Sequence, residues 1–234
     1  MGLAKDWWRV IDTLRRIAPY YRQFNSCISM GRDLEIRRRA LKTLHHKPRI
    51  ILDAGSGDGS LTEILLSEFK HTVELVVALD VLPEMLKMIK TGGVEKVQGV
   101  FEYMPFRDCC FDTVTAAFSL RDAIELEKTI VEIYRILKIS GHLLVIDLGK
   151  PDSSFKKLLV NFYWFLVAPV IAFLRLGLKG LEAWKIGLTL KRYPENSSHL
   201  KMYLRYFQNL DFRELFYGWV IVIHAFKASQ LRSS

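Results

Sequence analysis

The sequence predicts an α/β fold: one domain on a doubly wound, mostly parallel seven-stranded sheet with a C-terminal antiparallel strand. Three observations predict it. Apolar runs rich in β-branched residues alternate with helical patterns between residues 50 and 148. A strand, a glycine turn and a helix follow one another directly from Ile50 to Phe69. A second apolar run ends in an acid, Asp80, 21 positions past Gly59. The length agrees, since 234 residues suit one large domain or one domain with an insert.

Residues 1–48 read as an N-terminal helical cap. Trp7, Trp8, Ile11, Leu14 and Ile17 recur at helical spacing until Pro19 interrupts them. A basic helix follows, with Arg37, Arg38 and Arg39 in succession. Such a run is either a solvated face or a contact with lipid headgroups or phosphate.

Residues 49–150 read as a ligand-binding core. Ile50 to Ala54 suits a buried parallel strand. Gly55, Gly57 and Gly59 then allow a tight turn and bring bare backbone near a ligand. Leu61, Ile64, Leu65 and Phe69 share one face of the next helix, whose N-terminus offers unpaired N–H groups. The spacing is G-x-G-x-G, not the G-x-G-x-x-G that seats a pyrophosphate. Glu74 to Asp80 is the second strand. Its terminal carboxylate has two oxygens for the two hydroxyls of a ribose, or it caps the helix opening at Val81-Leu82-Pro83. Glu95 to Val100 and Phe111 to Phe118 are the third and fourth strands. Between them, Phe101 to Phe106 offers apolar groups to sandwich a planar ring. A helix carries Leu126, Ile130, Ile133, Tyr134 and Leu137 on one face. Ser140-Gly141 turns the chain into a fifth strand, His142 to Leu148. The arrangement is Rossmann-like, with ligands beyond the carboxyl ends of the strands, so Asp53, Asp80, Phe118 and Asp147 share one crevice.

Residues 151–199 break the alternation. Leu158 to Leu174 is nearly all apolar, with Lys156, Lys157 and Arg175 at its margins and Asn161 and Pro169 inside. Its length reaches only the short limit of a membrane span. It reads better as a helical insert that acts as a lid or lies at an interface, against an apolar substrate or a bilayer. Residues 200–228 close the domain. They form a helix from Leu200 to Leu210 and two strands between Phe212 and Phe226, around Tyr217-Gly218, before a polar tail from Ala228.

Composition narrows the function classes. The net charge of +9 is compatible with nucleic acid, an anionic membrane surface or plain solubility. The three cysteines show no spacing for a disulfide framework or a zinc site, and no metal is expected. Asp6 and Arg9 interrupt any signal-peptide run, which points to a reducing, cytoplasmic setting. Peripheral membrane contact through 155–182 and the basic N-terminal helix is expected, and a homodimer is compatible with the sequence.

The motifs resemble those of one family. The glycine loop after Asp53 is similar to motif I of class I methyltransferases that use S-adenosylmethionine. Ala18-Pro-Tyr-Tyr-Arg-Gln-Phe-Asn25 through Gly31, Met104-Pro-Phe-Arg-Asp108 through Asp112, Phe118-Ser-Leu-Arg-Asp122, Tyr134 to Lys138, Asp147 to Pro151 and Arg192-Tyr-Pro194 resemble segments of the C-methyltransferases of ubiquinone and menaquinone biosynthesis. The chain departs from the family pattern at Arg22 (usually Asp), Val100 (commonly Asp), Ser119 (Gly), Asp122 (Asn) and Asp147 (Glu).

The resemblance implies methyl transfer from S-adenosylmethionine to a ring carbon of an isoprenoid quinol or a related lipid-soluble aromatic. It implies cofactor contacts from Asp53, Gly55, Ser56, Gly57, Gly59, Asp80, Val81, Phe101, Glu102 and Phe118. It implies that Arg121 stabilises a phenolate or positions a water, while Tyr21 and Asp147 orient ring hydroxyls and His224 is a weaker base candidate. An RNA methyltransferase is a rival, but the place of the usual (N/D)-P-P-(Y/F) stretch reads Phe118-Ser-Leu-Arg and no RNA-binding module is visible, which argues against nucleic acid. A non-catalytic membrane-associated module that keeps the fold is the other.

Overall fold

The structure, a computed structural model, describes residues 7–228. The polar tail beyond Ala228 and residues 1–6 of the expected N-terminal cap lie outside the described residues. The seven strands are β1 (Ile50–Ala54), β2 (Leu75–Asp80), β3 (Val94–Gln98), β4 (Phe111–Ala117), β5 (Leu137–Leu148), β6 (Asn209–Leu215) and β7 (Val220–Phe226). Their order is β3-β2-β1-β4-β5-β7-β6. β1 pairs in parallel with β2 and β4. β7 alone runs against its neighbours β5 and β6. The strand order reverses beside β1, so the carboxyl ends of β1 and β4 open a crevice there.

Helices cover both faces, as strands buried on two sides require. On one face α6 (Leu126–Ile136) sets Leu126, Ile130, Ile133 and Ile136 into the core. On the other, α3 (Asp33–Leu41) and α4 (Ser60–Glu68) pack Ile36, Leu41, Leu61 and Leu65 against Ile51 and Leu144. At the N-terminus α1 (Trp7–Ile17) and α2 (Tyr21–Ile28) are joined by a single 3-10 turn over Ala18–Tyr20, where Pro19 sits.

Three local expectations are corrected. Ser140-Gly141 is not a turn before β5 but an irregularity within it. Ser140 takes φ 61° and its N–H bonds Lys227 O at 2.7 Å, so the strand begins at Leu137 and shifts register between Phe111 and Thr113. The last helix, α10, spans Asn196–Leu204, and Leu210 lies in β6, because the strand pairing with β7 starts at Asn209. In α3 the basic run is not a uniformly solvated face. Arg37 is buried, paired with Asp33 at 3.3 Å and stacked 4.9 Å over the Phe118 ring, while Arg38 and Arg39 are exposed.

The insert comprises α7 (Ser154–Phe162), a π turn (Tyr163–Val167), α8 (Ala168–Leu176), a 3-10 stretch (Gly177–Ala183) and α9 (Trp184–Arg192). The wide turn falls just before Pro169, whose missing N–H and ring disrupt regular α bonding there. Phe155, Leu158, Phe162, Leu166, Val170 and Leu174 form an exposed apolar stripe at three- and four-residue spacing. Val160, Trp164, Ala168 and Ala172 are buried on the opposite side. Among the described residues, Ser154–Glu182 is one helical run long and apolar enough to cross a membrane, with a third of its most apolar window buried in the protein.

Candidate active site

The glycine loop is built as its spacing demands. Gly55, Gly57 and Gly59 have φ of 71°, 55° and 83°, the left-handed region that side chains avoid. At Gly55 a Cβ would also lie 2.5 Å from that of Ser119. The Gly57 N–H donates to Asp80 Oδ2 at 2.8 Å, and Leu82 N–H donates to Asp80 Oδ1 at 2.9 Å. Asp80 therefore steadies the loop and the turn that leads into α5 (Pro83–Leu86), with lone pairs of both oxygens remaining. The Ser56 hydroxyl is buried with no hydrogen-bond partner among the described residues. Asp53 sits beneath the loop, where Thr62 Oγ1 donates to it at 2.6 Å and Thr115 at 3.4 Å. Burial pushes its carboxyl up to about 6.

Arg22 ties a second element to the loop. Its Nε donates to Asp58 at 3.0 Å and its Nη2 to Glu63 at 3.1 Å. Asp58 also accepts from Ser60 N–H and Oγ. The departure from the family's acid at this position thus brings a cation to the acid between Gly57 and Gly59.

Beside the loop lies a cavity of about 60 Å³ walled by Leu79, Asp80, Val81, Val100 and Phe101. It is far below the roughly 300 Å³ at which ligand pockets begin, because Trp7, Ile11 and Leu14 of α1 lie over it. Glu102 borders it, but its carboxylate is committed to α6, accepting from Glu125 N–H at 3.0 Å and Thr129 Oγ1 at 3.3 Å.

Past β4 the chain turns through Phe118, itself at φ 58°, into a 3-10 turn at Leu120–Asp122 that buries Arg121. Arg121 Nη1 donates to Phe118 O and, at 3.3 Å, to Asp147 Oδ1; its N–H reaches Asp147 Oδ2 at 3.2 Å. Asp147 is fully buried and also accepts from Leu148 N–H and the Tyr193 hydroxyl. Burial raises its carboxyl, and Arg121 opposes the shift. Tyr21 lies against Gly57. Burial raises its hydroxyl, opposed by Arg121 and by a hydrogen bond to Asn25. Tyr193 was not singled out in the sequence because its partner lies 46 positions away.

Two larger cavities meet at Arg121 and Asn25, which line both. One, of about 560 Å³, is of mixed character, with Val10, Leu14, Ile17 and Phe24 beside the polar groups of Tyr21, Asp122, Arg9, Arg16 and Lys185. It shares Asp122 and Leu14 with the small cavity at the glycine loop. The other, of about 550 Å³, is apolar beyond its inner end, with Ile36, Phe118, Val167 and Trp219 in its walls. Its rim includes Met30, Phe162, Phe216 and Tyr217, all exposed. Met30, Phe216 and Tyr217 have φ of 53°, 51° and 60°, and strain of this kind gathers where structure serves function.

His224 is placed elsewhere. It pairs with Leu144 in the sheet and contacts His142 at 3.0 Å, and His142 stacks 3.6 Å from His46. His46 in turn bonds Thr113 at 2.7 Å. Burial drives His46 and His142 down to about 4 and lowers His224. This row sits toward the end of the sheet away from the crevice, which corrects the expected role of His224 as a base.

Comparison with known proteins agrees with this geometry. The ubiE/COQ5 methyltransferase family profile matches residues 3–226. The chain is 30% identical over 213 residues to a demethylmenaquinone methyltransferase of Bacteroides fragilis, covering 86% of this chain and 85% of that one. It is 34% identical over 162 residues to a demethylmenaquinone methyltransferase of Thermus thermophilus, covering 66% and 73%. In fold it resembles the plantazolicin methyltransferase BpumL in complex with SAH, at TM-score 0.68 and 11% identity over 97% of this chain and 95% of that one. It also resembles a SAM-dependent methyltransferase of Thermotoga maritima, at TM-score 0.66 and 16% identity over 92% and 98%. With its glycine loop, its acid-ended second strand and a profile match across almost its whole length, the chain belongs to the ubiE/COQ5 methyltransferase family.

Proposed function

We propose that the protein transfers a methyl group from S-adenosylmethionine to a ring carbon of an isoprenoid quinol. One observation carries the substrate reading. Arg121 and Asn25 form the wall between a mixed cavity bordered by charged side chains, which meets the glycine loop at Asp122, and an apolar cavity with an exposed apolar rim. An amphiphile with an aromatic head and a hydrocarbon tail matches that division, its head at Arg121 and its tail among Ile36, Val167 and Trp219.

The cofactor residues fit their group. Asp80 has lone pairs left for ribose hydroxyls, and the unpartnered Ser56 hydroxyl lies in the loop beside them. Val81 and Phe101 give a planar ring apolar walls. When bound, S-adenosylmethionine supplies an activated sulfonium methyl, so the chain has chiefly to align the acceptor carbon and stabilise charge on it. The buried Arg121 guanidinium, held by Asp147 and Phe118 O, is a fixed cation for a developing phenolate, worth more in this dry site than in water. Tyr21, whose hydroxyl stays protonated, donates to the ring oxygen. The bland alternative for Arg121, a purely structural pair with Asp147, is weighed by mutation.

The exposed stripe on α7 and α8, with Lys156, Arg175 and Trp184 near its margins, lies in the interface plane of an anionic membrane and delivers the substrate to the apolar rim.

The deciding experiment supplies purified protein with labelled S-adenosylmethionine and a tailed quinol, its tail-less head group, or RNA. Label is expected in the tailed quinol, and label in RNA instead overturns the reading. In Arg121→Ala, cofactor affinity stays within about twofold while turnover falls by about 100-fold or more, the scale of losing one transition-state charge donor. Retained turnover would make Arg121 structural.

A further inference from the structure

We propose that Asp122 is the general base that takes the ring hydroxyl proton during methyl transfer. The inference rests on the quinol reading above and goes beyond it, because relatives commonly have Asn at this position and so lack the group.

The geometry singles it out. Asp122 lines both the mixed cavity at Arg121 and the small cavity at the glycine loop. A group at that junction stands between the acceptor ring and the bound methyl donor. Leu14, which shares the junction, has no proton chemistry. The two acids at the ends of β2 and β5 already hold other donors. Asp147 is fully buried and holds Arg121, Leu148 N–H and Tyr193. Asp80 holds Gly57 and Leu82. Among the described residues the Asp122 carboxylate has one ion-pair contact, Arg121 Nη2 at 3.8 Å, longer than a hydrogen bond. Its acceptor capacity is therefore free on the cavity side.

The groups facing it come from two strands, the turn after β4 and a helix. Arg121, next in the chain after β4, favours the carboxylate; Asp147 of β5 and Asp80 of β2 disfavour it; Tyr21 of α2 feels its charge in turn. Burial is the largest influence and pushes the carboxyl up to about 6. A base near the working pH is ionised yet still takes a proton readily.

The step balances as follows. The Asp122 carboxylate accepts the hydroxyl proton, leaving a phenolate whose charge Arg121 faces. An electron pair of the ring carbon ortho to the phenolate forms the new carbon–carbon bond to the methyl as the sulfur–carbon bond breaks, leaving a neutral thioether and a linearly conjugated ring ketone. The proton on the methylated carbon leaves to water, restoring the aromatic ring as a phenolate. That phenolate recovers the proton held by Asp122, so one proton is released per turnover.

The test is Asp122→Asn, which restores the residue common in relatives and preserves shape. Wild type should lose activity as pH falls through about 6, because the base must be ionised. In Asp122→Asn, kcat should fall about 100-fold with KM nearly unchanged, and the acidic limb should vanish. A quinol made more acidic by electron-withdrawing substituents should recover most of the lost rate. A second readout needs no turnover: the carbon NMR signal of the Asp122 carboxyl, identified by its absence in the variant, should titrate near 6 and move when a quinol is added. An unchanged rate and pH profile in Asp122→Asn, or a carboxyl signal indifferent to a quinol that the wild type methylates, would overturn the assignment while leaving methyl transfer standing. If wild type methylates no quinol at all, the functional reading falls first and takes this one with it.

Discussion

Asp80 shows how one side chain couples local structure to the binding role proposed for it. Its two oxygens already hold the Gly57 and Leu82 N–H groups, which fixes the carboxylate in place before any ligand arrives. Removing it costs both the ribose acceptors and the loop's support. Asp80→Ala should weaken cofactor binding by about 100-fold or more, from two lost charge-assisted hydrogen bonds of about 1.5–3 kcal/mol each. Calorimetric titration would measure this, and unchanged affinity would remove Asp80 from the site. The glycines and Asp80 were legible in the sequence because each answers a demand that only certain residue types meet, a left-handed backbone or a paired acceptor. Glu102 and His224 were not. The partners of Glu102 lie across the fold on α6, and that of His224 on β5, pairings set by packing and strand register. Asp122 appeared in the sequence only as a departure from a family pattern, since nothing in its neighbours reveals that it faces two cavities.

At the scale of elements, α1 is the part that must respond to ligand. It lays Trp7, Ile11 and Leu14 over the small cavity, leaving about 60 Å³ where a nucleoside has to fit. A closed majority state lowers both the apparent affinity and the rate of entry in proportion to how seldom it opens. Trp7→Ala should therefore speed cofactor association several-fold in stopped-flow fluorescence, and an unchanged rate would mean that the cofactor enters by another route. Most element positions followed from periodicity, since α4 and α6 bury the residues their spacing selects. The misread ends, at β5 and α10, are places where a strand partner decides. Ser140 joins β5 because Lys227 offers it a hydrogen bond, and Leu210 leaves the helix because β7 pairs with it. Local propensity carries no information about either partner.

Across the whole molecule, the doubly wound sheet and its C-terminal antiparallel strand were legible as a class, whereas the strand order and the meeting of the cavities at Arg121 were not. That junction draws on α2, the turn after β4 and the far-off insert. The bond from Arg22 to Asp58 has a consequence for the two ligands together. Arg22 adjoins Tyr21, so the residue proposed to face the acceptor ring and the loop proposed to hold the cofactor are fastened into one body. If one ligand orders that body, the other finds it already ordered, and thermodynamic reciprocity then makes each tighten the other by the same factor. Such factors commonly lie between about 5 and 150. Titrating cofactor with and without quinol should give that factor for the wild type, and Arg22→Ala should bring it close to one while each ligand alone binds much as before. The chain would then be a heterotropic device in which an arginine in place of the usual acid sets how strongly the two binding equilibria sense each other.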